Sequence, residues 1–168
     1  MTEDNDFSDT NRIRNPYALS CLIFPGERKD YALIPEISGI YFLTNGHEFY
    51  IGCGQNLNVR ISASIGEQDR RGYNFSRYYF IVMPYLEKDI LEKIETDFIT
   101  AANTIIYNNN LEEKYGLLLL NSRKVAILPV CAWFEPYRQD YYYPVGAVQT
   151  VLRMIGIPMS DVRMGDVI

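Results

Sequence analysis

The sequence predicts an α+β fold, a small antiparallel three-stranded sheet with a β-β-α-β-α core, flanked by helices and extended at both ends. Three observations carry this. Residues 39–44 (GIYFLT) and 47–52 (HEFYIG) are rich in aromatic and β-branched residues, and only Asn45 and Gly46 separate them. Asn-Gly between two such runs is a strong hairpin signal, because a type I′ turn needs φ > 0 at both central positions. A third run of this kind follows at 77–84 (RYYFIVMP), and stretches with helical apolar spacing lie after the second and third runs. Strands ordered this way pack as a sheet with helices on it.

Each element has its own signal. Residues 1–16 are polar and acidic and read as a flexible tail. Residues 17–35, with Pro25 and Gly26, read as a short element wrapping the core. After the hairpin, Asn56 can cap a helix reaching about Ile65, with Leu57, Ile61 and Ile65 on one face. Residues 66–76 read as a charged, Gly-containing loop. A longer helix over 87–103 presents Ile90, Leu91, Ile94, Phe98 and Ala102 as its apolar stripe. Residues 112–121 fit either a helix or a strand, Val125–Trp133 a strand, and Val145–Ile155 a short amphipathic helix. The organisation expected is thus a tail (1–16), a core with its N-terminal extension (17–110), and a C-terminal extension (111–168) packed on the core or forming an interface.

Composition sets the bounds. A chain of 168 residues suits one domain with one core. With 48% hydrophobic residues, disorder is excluded for most of it. No apolar run approaches the roughly 20 residues of a membrane span, and the acidic N-terminus is not a signal peptide. Cys21, Cys53 and Cys131 match neither a disulfide framework nor a zinc pattern, which points to an intracellular, cytoplasmic protein with reduced thiols. The net charge of −5 runs against extended contact with phosphates. However, Glu3, Asp4, Asp6 and Asp9 put −4 into the first ten residues, leaving −1 for residues 11–168. From Asn58 to Tyr78, four arginines (60, 70, 71, 77) face Glu67 and Asp69, a local +2.

A two-residue turn at Asn45-Gly46 sets a register in which Tyr41 faces Tyr50, Phe42 faces Phe49 and Ile40 faces Ile51. Tyr41 and Tyr50 then share one face as opposed neighbours, roughly 4.5–5.5 Å apart at Cβ. Gly39 and Gly52 lie on that face, where missing side chains leave sheet that a substrate can approach. Two opposed tyrosines alone are an ordinary aromatic pair, and Arg60 alone is an ordinary helix surface residue.

Taken together, the residues of this segment resemble the GIY-YIG nuclease superfamily. The first signature is Gly39-Ile40-Tyr41, preceded by Ile34-Pro35 and Ser38; the second is Tyr50-Ile51-Gly52. Arg60 follows ten residues after the second tyrosine, within Asn56-Leu57-Asn58-Val59-Arg60. A helix then carries Glu95 with Ile99 after it, and an asparagine within Asn108–Asn110 completes the match over residues 34–110. Helical periodicity leaves Glu95 and Asp97 on opposite borders of the apolar stripe, and only the family pattern selects Glu95. Glu92 reads as a surface residue.

The resemblance implies a metal-dependent endonuclease acting on DNA, duplex or branched. It implies Glu95 as ligand of Mg²⁺ (or Mn²⁺), Arg60 as phosphate clamp, and Tyr41 and Tyr50 at the nucleophile, with the base among the two left open. Each residue type suits its role, since guanidinium grips phosphate oxygens, a carboxylate holds Mg²⁺, and a phenol orients or deprotonates water. Gly39, Gly52, Asn56, Arg70, Arg71 and Asn110 are the expected substrate contacts. A double-strand cut by one small domain calls for a homodimer or a second binding event. One position departs from the pattern: many members carry histidine one turn after the arginine, and here Ser64 stands there. The only histidine, His47, borders the hairpin turn. The alternative reading is a catalytically lapsed domain that binds nucleic acid or protein. The tyrosines at 78–79 and 141–143 read as packing residues before they read as base-stacking ones.

Overall fold

The computed structural model describes residues 22–122 and 142–163. The acidic tail, Cys21, Cys131, Tyr141 and the expected strand over Val125–Trp133 lie outside the described residues, as do the side chains of Tyr142 and Tyr143. The fold is α+β, with a five-stranded mixed sheet in place of the three antiparallel strands expected. In chain order the elements are β1 (Phe24–Glu27), β2 (Gly39–Thr44), β3 (Glu48–Gly54), α1 (Leu57–Arg70), β4 (Arg77–Val82), α2 (Lys88–Asn108), α3 (Leu111–Tyr115), β5 (Leu118–Leu119) and α4 (Tyr142–Met154). A 3₁₀ helix, Arg28–Leu33, joins β1 to β2. The strand order is β1-β4-β2-β3-β5. The three expected strands form the centre, antiparallel throughout, while β1 and the parallel β5 add the edges.

The side-chain alternation of β2, β3 and β4 splits the core into two layers. Ile40, Phe42, Phe49, Ile51, Tyr79 and Ile81 face α2 and α4 and are buried with Phe98, Ile105, Val148 and Leu152. Tyr41, Leu43, Tyr78 and Phe80 face α1 and are buried with Leu57, Ile61 and Ile65. The sheet is thus covered on both sides. The described part of the C-terminal extension belongs to the same core, through Leu111, Leu117, Leu119, Val145, Val148 and Val151. No helix among the described residues is long and apolar enough to cross a membrane.

The hairpin register differs from the expected one. Thr44 faces Phe49, Leu43 faces Tyr50, Phe42 faces Ile51 and Tyr41 faces Gly52. The cause is the Asn45 side chain, whose Oδ1 accepts the backbone N–H groups of His47 (3.0 Å) and Glu48 (2.8 Å). This Asx-type turn makes Gly46 and His47 the central residues, with Gly46 at φ 97°. Positive φ at the first central position is what a type II′ hairpin turn asks of glycine.

Three further boundaries move. Helix α1 runs five residues past Ile65 to Arg70, because Gln68 also faces inward and is buried. Helix α2 continues to Asn108 because Ala101, Ala102, Ile105 and Ile106 keep meeting the core. Residues 111–119 hold both a helical turn and a strand, separated by Gly116 at φ 67°.

Candidate active site

The ring of Tyr41 is the starting point. Tyr41 and Tyr50 share a face of the hairpin, as expected, but they are diagonal neighbours, with ring centroids 6.4 Å apart. The residue directly across from Tyr41 is Gly52, and a Cβ there would overlap the Tyr41 ring. Two positions further along the same face, a Cβ on Gly54 would meet Arg60 Cβ at 2.7 Å and Cγ at 2.8 Å. Tyr50, Gly52 and Gly54 therefore form a stripe on β3 carrying one phenol and two gaps. The Tyr41 ring fills the first gap and the aliphatic stem of Arg60 the second. Gly39 has a packing reason too: a Cβ there would overlap the Ile81 carbonyl oxygen and crowd Leu57 Cδ1 at 2.8 Å. Gly39 and Gly52 are buried and filled over, so the open sheet expected at these two positions is not there.

Arg60 owes its place to the start of α1. Asn56 caps the helix, its Oδ1 accepting from Val59 N at 3.2 Å. The next orphan donors are taken by the preceding segment, Leu57 N by the Ile37 carbonyl (2.9 Å) and Asn58 N by the Pro35 carbonyl (3.2 Å). The Asn58 amide also donates to the carbonyls of Tyr31 and Ile34, at 2.9 and 2.8 Å. Asn56 Oδ1 thus serves as the cap of its helix. This anchoring holds the first turn of α1, and Arg60 with it, over the end of β3.

Helix α2 supplies the opposite wall. Glu95 lines a cleft of about 430 Å³ together with Tyr41, Tyr50 and Arg60. These residues come from α2, β2, β3 and α1, so the four expected catalytic side chains converge on one cleft. Asp97 is not part of its lining, which resolves the ambiguity that periodicity left. Glu92 does line it, with Lys88 one turn earlier and Gln55 from the β3–α1 turn. Lys88 and Gln55 had no signal in the sequence, and Glu92 was expected to be mere surface. The spacing 88, 92, 95 puts one α2 stripe along the cleft.

Tyr41 is the floor, with no accessible surface. Its hydroxyl makes no hydrogen bond among the described residues, and neither does the buried Ser64 Oγ nearby. Ser64 Oγ lies near enough to favour the ionised Tyr41 phenol slightly, yet the two lack hydrogen-bond geometry. Burial pushes the Tyr41 phenol well above the ordinary tyrosine range, with smaller opposing effects from Ser64 and Arg60. Tyr41 therefore stays protonated at neutral pH. The Arg60 guanidinium is raised, chiefly by the Tyr41 phenol and against the effect of burial. It is cationic throughout the working range.

The other expected contacts lie elsewhere. Arg70 is exposed near the end of α1 and does not line the cleft. Arg71 lines a second depression of about 350 Å³, with Tyr73, Gln68 and Asn121, which shares Tyr50 and Arg60 with the first. Asn110 is an exposed residue at φ 57° beyond the far end of α2, about 20 Å along the helix from Glu95. It serves a turn and not the cleft. His47 is exposed at the hairpin tip.

The asparagine that touches this region is Asn121. Its Oδ1 accepts from Ile51 N at 3.4 Å and its Nδ2 donates to the Ile51 carbonyl at 2.6 Å. It extends the pairing of the two-residue β5 along β3 and holds the strand between Tyr50 and Gly52. The sequence carries no signal for it, since the contact spans 70 residues.

Among the described residues no three His, Cys, Asp or Glu side chains cluster to cage a metal ion. The cleft instead offers oxygen donors, the Glu95 and Glu92 carboxylates and the Tyr50 phenol. That set fits Mg²⁺, which takes one or two carboxylates and fills its octahedron with water and substrate phosphate. The chain matches no protein-family model, no curated protein and no solved structure.

Proposed function

We propose that this chain is a GIY-YIG-type endonuclease that hydrolyses phosphodiester bonds of DNA with Mg²⁺ or Mn²⁺. One observation carries the reading: Tyr41, Tyr50, Arg60 and Glu95, spread over 55 positions of sequence, line a single cleft. Four separate elements of the fold each contribute one of them.

Hydrolysis forms one P–O bond from water, breaks one ester P–O bond, and returns a proton to the leaving oxygen. Arg60 supplies a fixed cation against the phosphate oxygens, with its stem braced on Gly54. Tyr41 is buried and protonated beneath the cleft, with no hydrogen-bond partner for its hydroxyl among the described residues; it can donate to a phosphate oxygen or the attacking water only if the cleft wall over it shifts on binding. Tyr50, half-buried at the cleft surface, orients the water. Glu95, with Glu92 beside it, would hold Mg²⁺, which when bound lowers the charge of the phosphate and the pKa of a bound water. Lys88 adds a second cation at the rim.

The rival reading is a domain that binds nucleic acid without cutting it. Ser64 supports it, because a buried hydroxyl with no hydrogen bond cannot shuttle protons as a histidine would. Incubation of purified protein with duplex, branched and single-stranded DNA and Mg²⁺ separates the two. Cleavage supports the endonuclease; a gel shift with no cleavage in Mg²⁺ or Mn²⁺ supports the binding module.

A further inference from the structure

Three depressions of the surface share lining residues. The central cleft shares Tyr50 and Arg60 with the depression that holds Arg71 and Tyr73. At its other end it shares Gln55 with a depression of about 260 Å³ that holds Tyr85. The Arg60–Glu95 cleft thus has a neighbouring depression through Gln55, with Tyr85 projecting at its rim, and another through Tyr50 and Arg60, lined by Tyr73.

Tyr85 is unusual in two ways. Its side chain is 99% exposed. It also sits at φ 64° in the turn after Pro84, a position where type II turns take glycine or asparagine. The turn is held rigidly: Met83 N donates to the Ser38 carbonyl (2.8 Å), Ser38 Oγ donates to the Met83 carbonyl (2.5 Å), and Leu86 N donates to Ser38 Oγ (3.4 Å). A tyrosine in a glycine slot strains the backbone, and this one gains no burial in return. Its use must lie in what the exposed ring can contact.

Charge does not explain these depressions. Arg60, Arg71 and Lys88 are set against Glu36, Glu67, Glu92 and Glu95, so the lining has no net positive charge. A duplex held mainly through its phosphates needs a basic surface. Unpaired bases offer flat faces, which aromatic rings bind with little help from charge. Those faces are hidden in an intact duplex.

We infer that these depressions take a DNA strand unpaired on both sides of the cleaved bond, with flanking bases stacked on Tyr85 and Tyr73 and Arg71 on a neighbouring phosphate. The inference rests on the nuclease reading for the central phosphate and narrows its substrate from DNA at large to single-stranded or branched DNA.

The test is fluorescence anisotropy of the full chain in EDTA. The probes are labelled oligodeoxythymidine of about twelve nucleotides, the same strand annealed to oligodeoxyadenosine, and an oligouridine of equal length. The single DNA strand binds at least about tenfold tighter than the duplex, with a shallow salt dependence. Tyr85→Gly weakens strand binding roughly tenfold while raising the thermal midpoint of unfolding, because it relieves the turn. Tyr73→Ala weakens binding to a similar degree. Equal or tighter duplex binding overturns the inference, as does unchanged affinity in both variants; tighter oligouridine binding overturns the assignment to DNA. Strand binding that needs Tyr85 without any cleavage in Mg²⁺ sinks the nuclease reading alone. Metal-dependent duplex cleavage that ignores Tyr85→Gly sinks the unpaired-strand inference alone.

Discussion

The ring of Tyr41 lies across Gly52, in the space that any larger residue at 52 would claim for its own Cβ. The two residues are directly paired across β2 and β3. Each signature therefore explains part of the other: the second needs its glycine because the first brings a tyrosine. Gly52→Ala should destabilise the fold by about 1–3 kcal/mol, the usual cost of overpacking. Denaturant titration of Gly52→Ala, Tyr41→Ala and the double variant checks this. The double variant should lose less than the two single losses combined, since removing the ring frees the space. Simple additivity would mean that the two residues do not compete for it.

Gly54 and Arg60 repeat the relationship with a different consequence. The contact is with Cβ and Cγ of Arg60, the end of the side chain fixed to the α1 backbone, so a Cβ at position 54 must displace the first turn of α1 itself. Gly54→Ala should lower the thermal midpoint, because α1 has to shift, and lower cleavage roughly 10²-fold, the order expected when a positioning group shifts by an ångström. Equal activity in the variant would show that Arg60 does not need its brace.

Asn121 should matter to stability although it contributes no chemistry. Asn121→Ala leaves the Ile51 N–H and carbonyl without these partners, a loss of about 1–3 kcal/mol. Hydrogen exchange read at the Ile51 amide should accelerate by more than at the β2–β4 pairing. Unchanged protection at Ile51 would mean that the side chain is a bystander.

The pair Arg28–Asp69 makes a pH-dependent tie. Arg28 Nη1 and Nη2 donate to the two Asp69 oxygens at 2.8 and 2.7 Å, and Nε donates to the Phe75 carbonyl at 2.8 Å. It fastens the 3₁₀ helix before β2 to the segment carrying Tyr73. The Arg28 hydrogen bond holds the Asp69 carboxyl below its ordinary range. A carboxylate lowered in the folded state contributes stability that is present above the ordinary aspartate pKa of about 4. That contribution is lost as pH falls through the lower folded value. The stability gap between wild type and Asp69→Asn should be modest at pH 7, as befits an exposed pair, and should close as pH falls below the ordinary aspartate range. A gap that persists there would trace to packing instead.

The tyrosine face was legible because it depends only on parity. The real register is offset by two residues along the partner strand, and a two-residue offset returns every side chain to its original face. The turn itself misled, because Asn45 acts through its side chain and not through its backbone, and this places Gly46 where the asparagine was expected to be. The edge strands β1 and β5 were illegible: FPGE has no alternation, and Leu118-Leu119 is too short to carry a pattern. The convergence of Arg60 and Glu95 followed from the family pattern and not from periodicity. Asn110 failed because α2 runs on past the cleft, so its end lies far from its middle. Tyr85, Lys88 and Asn121 depend on turn geometry and contacts distant in sequence, which a single sequence does not display.

The most direct measurement of the central claim is cleavage of a labelled forked DNA, with unpaired arms, in Mg²⁺ by wild type, Glu95→Ala and Arg60→Ala, each confirmed as folded by circular dichroism and thermal melting. The account predicts metal-dependent cleavage by wild type, none after EDTA, and losses of at least about 10²-fold in both variants with melting midpoints preserved. Wild-type protein that leaves the fork intact, or folded variants that cut it as fast as wild type, would contradict it.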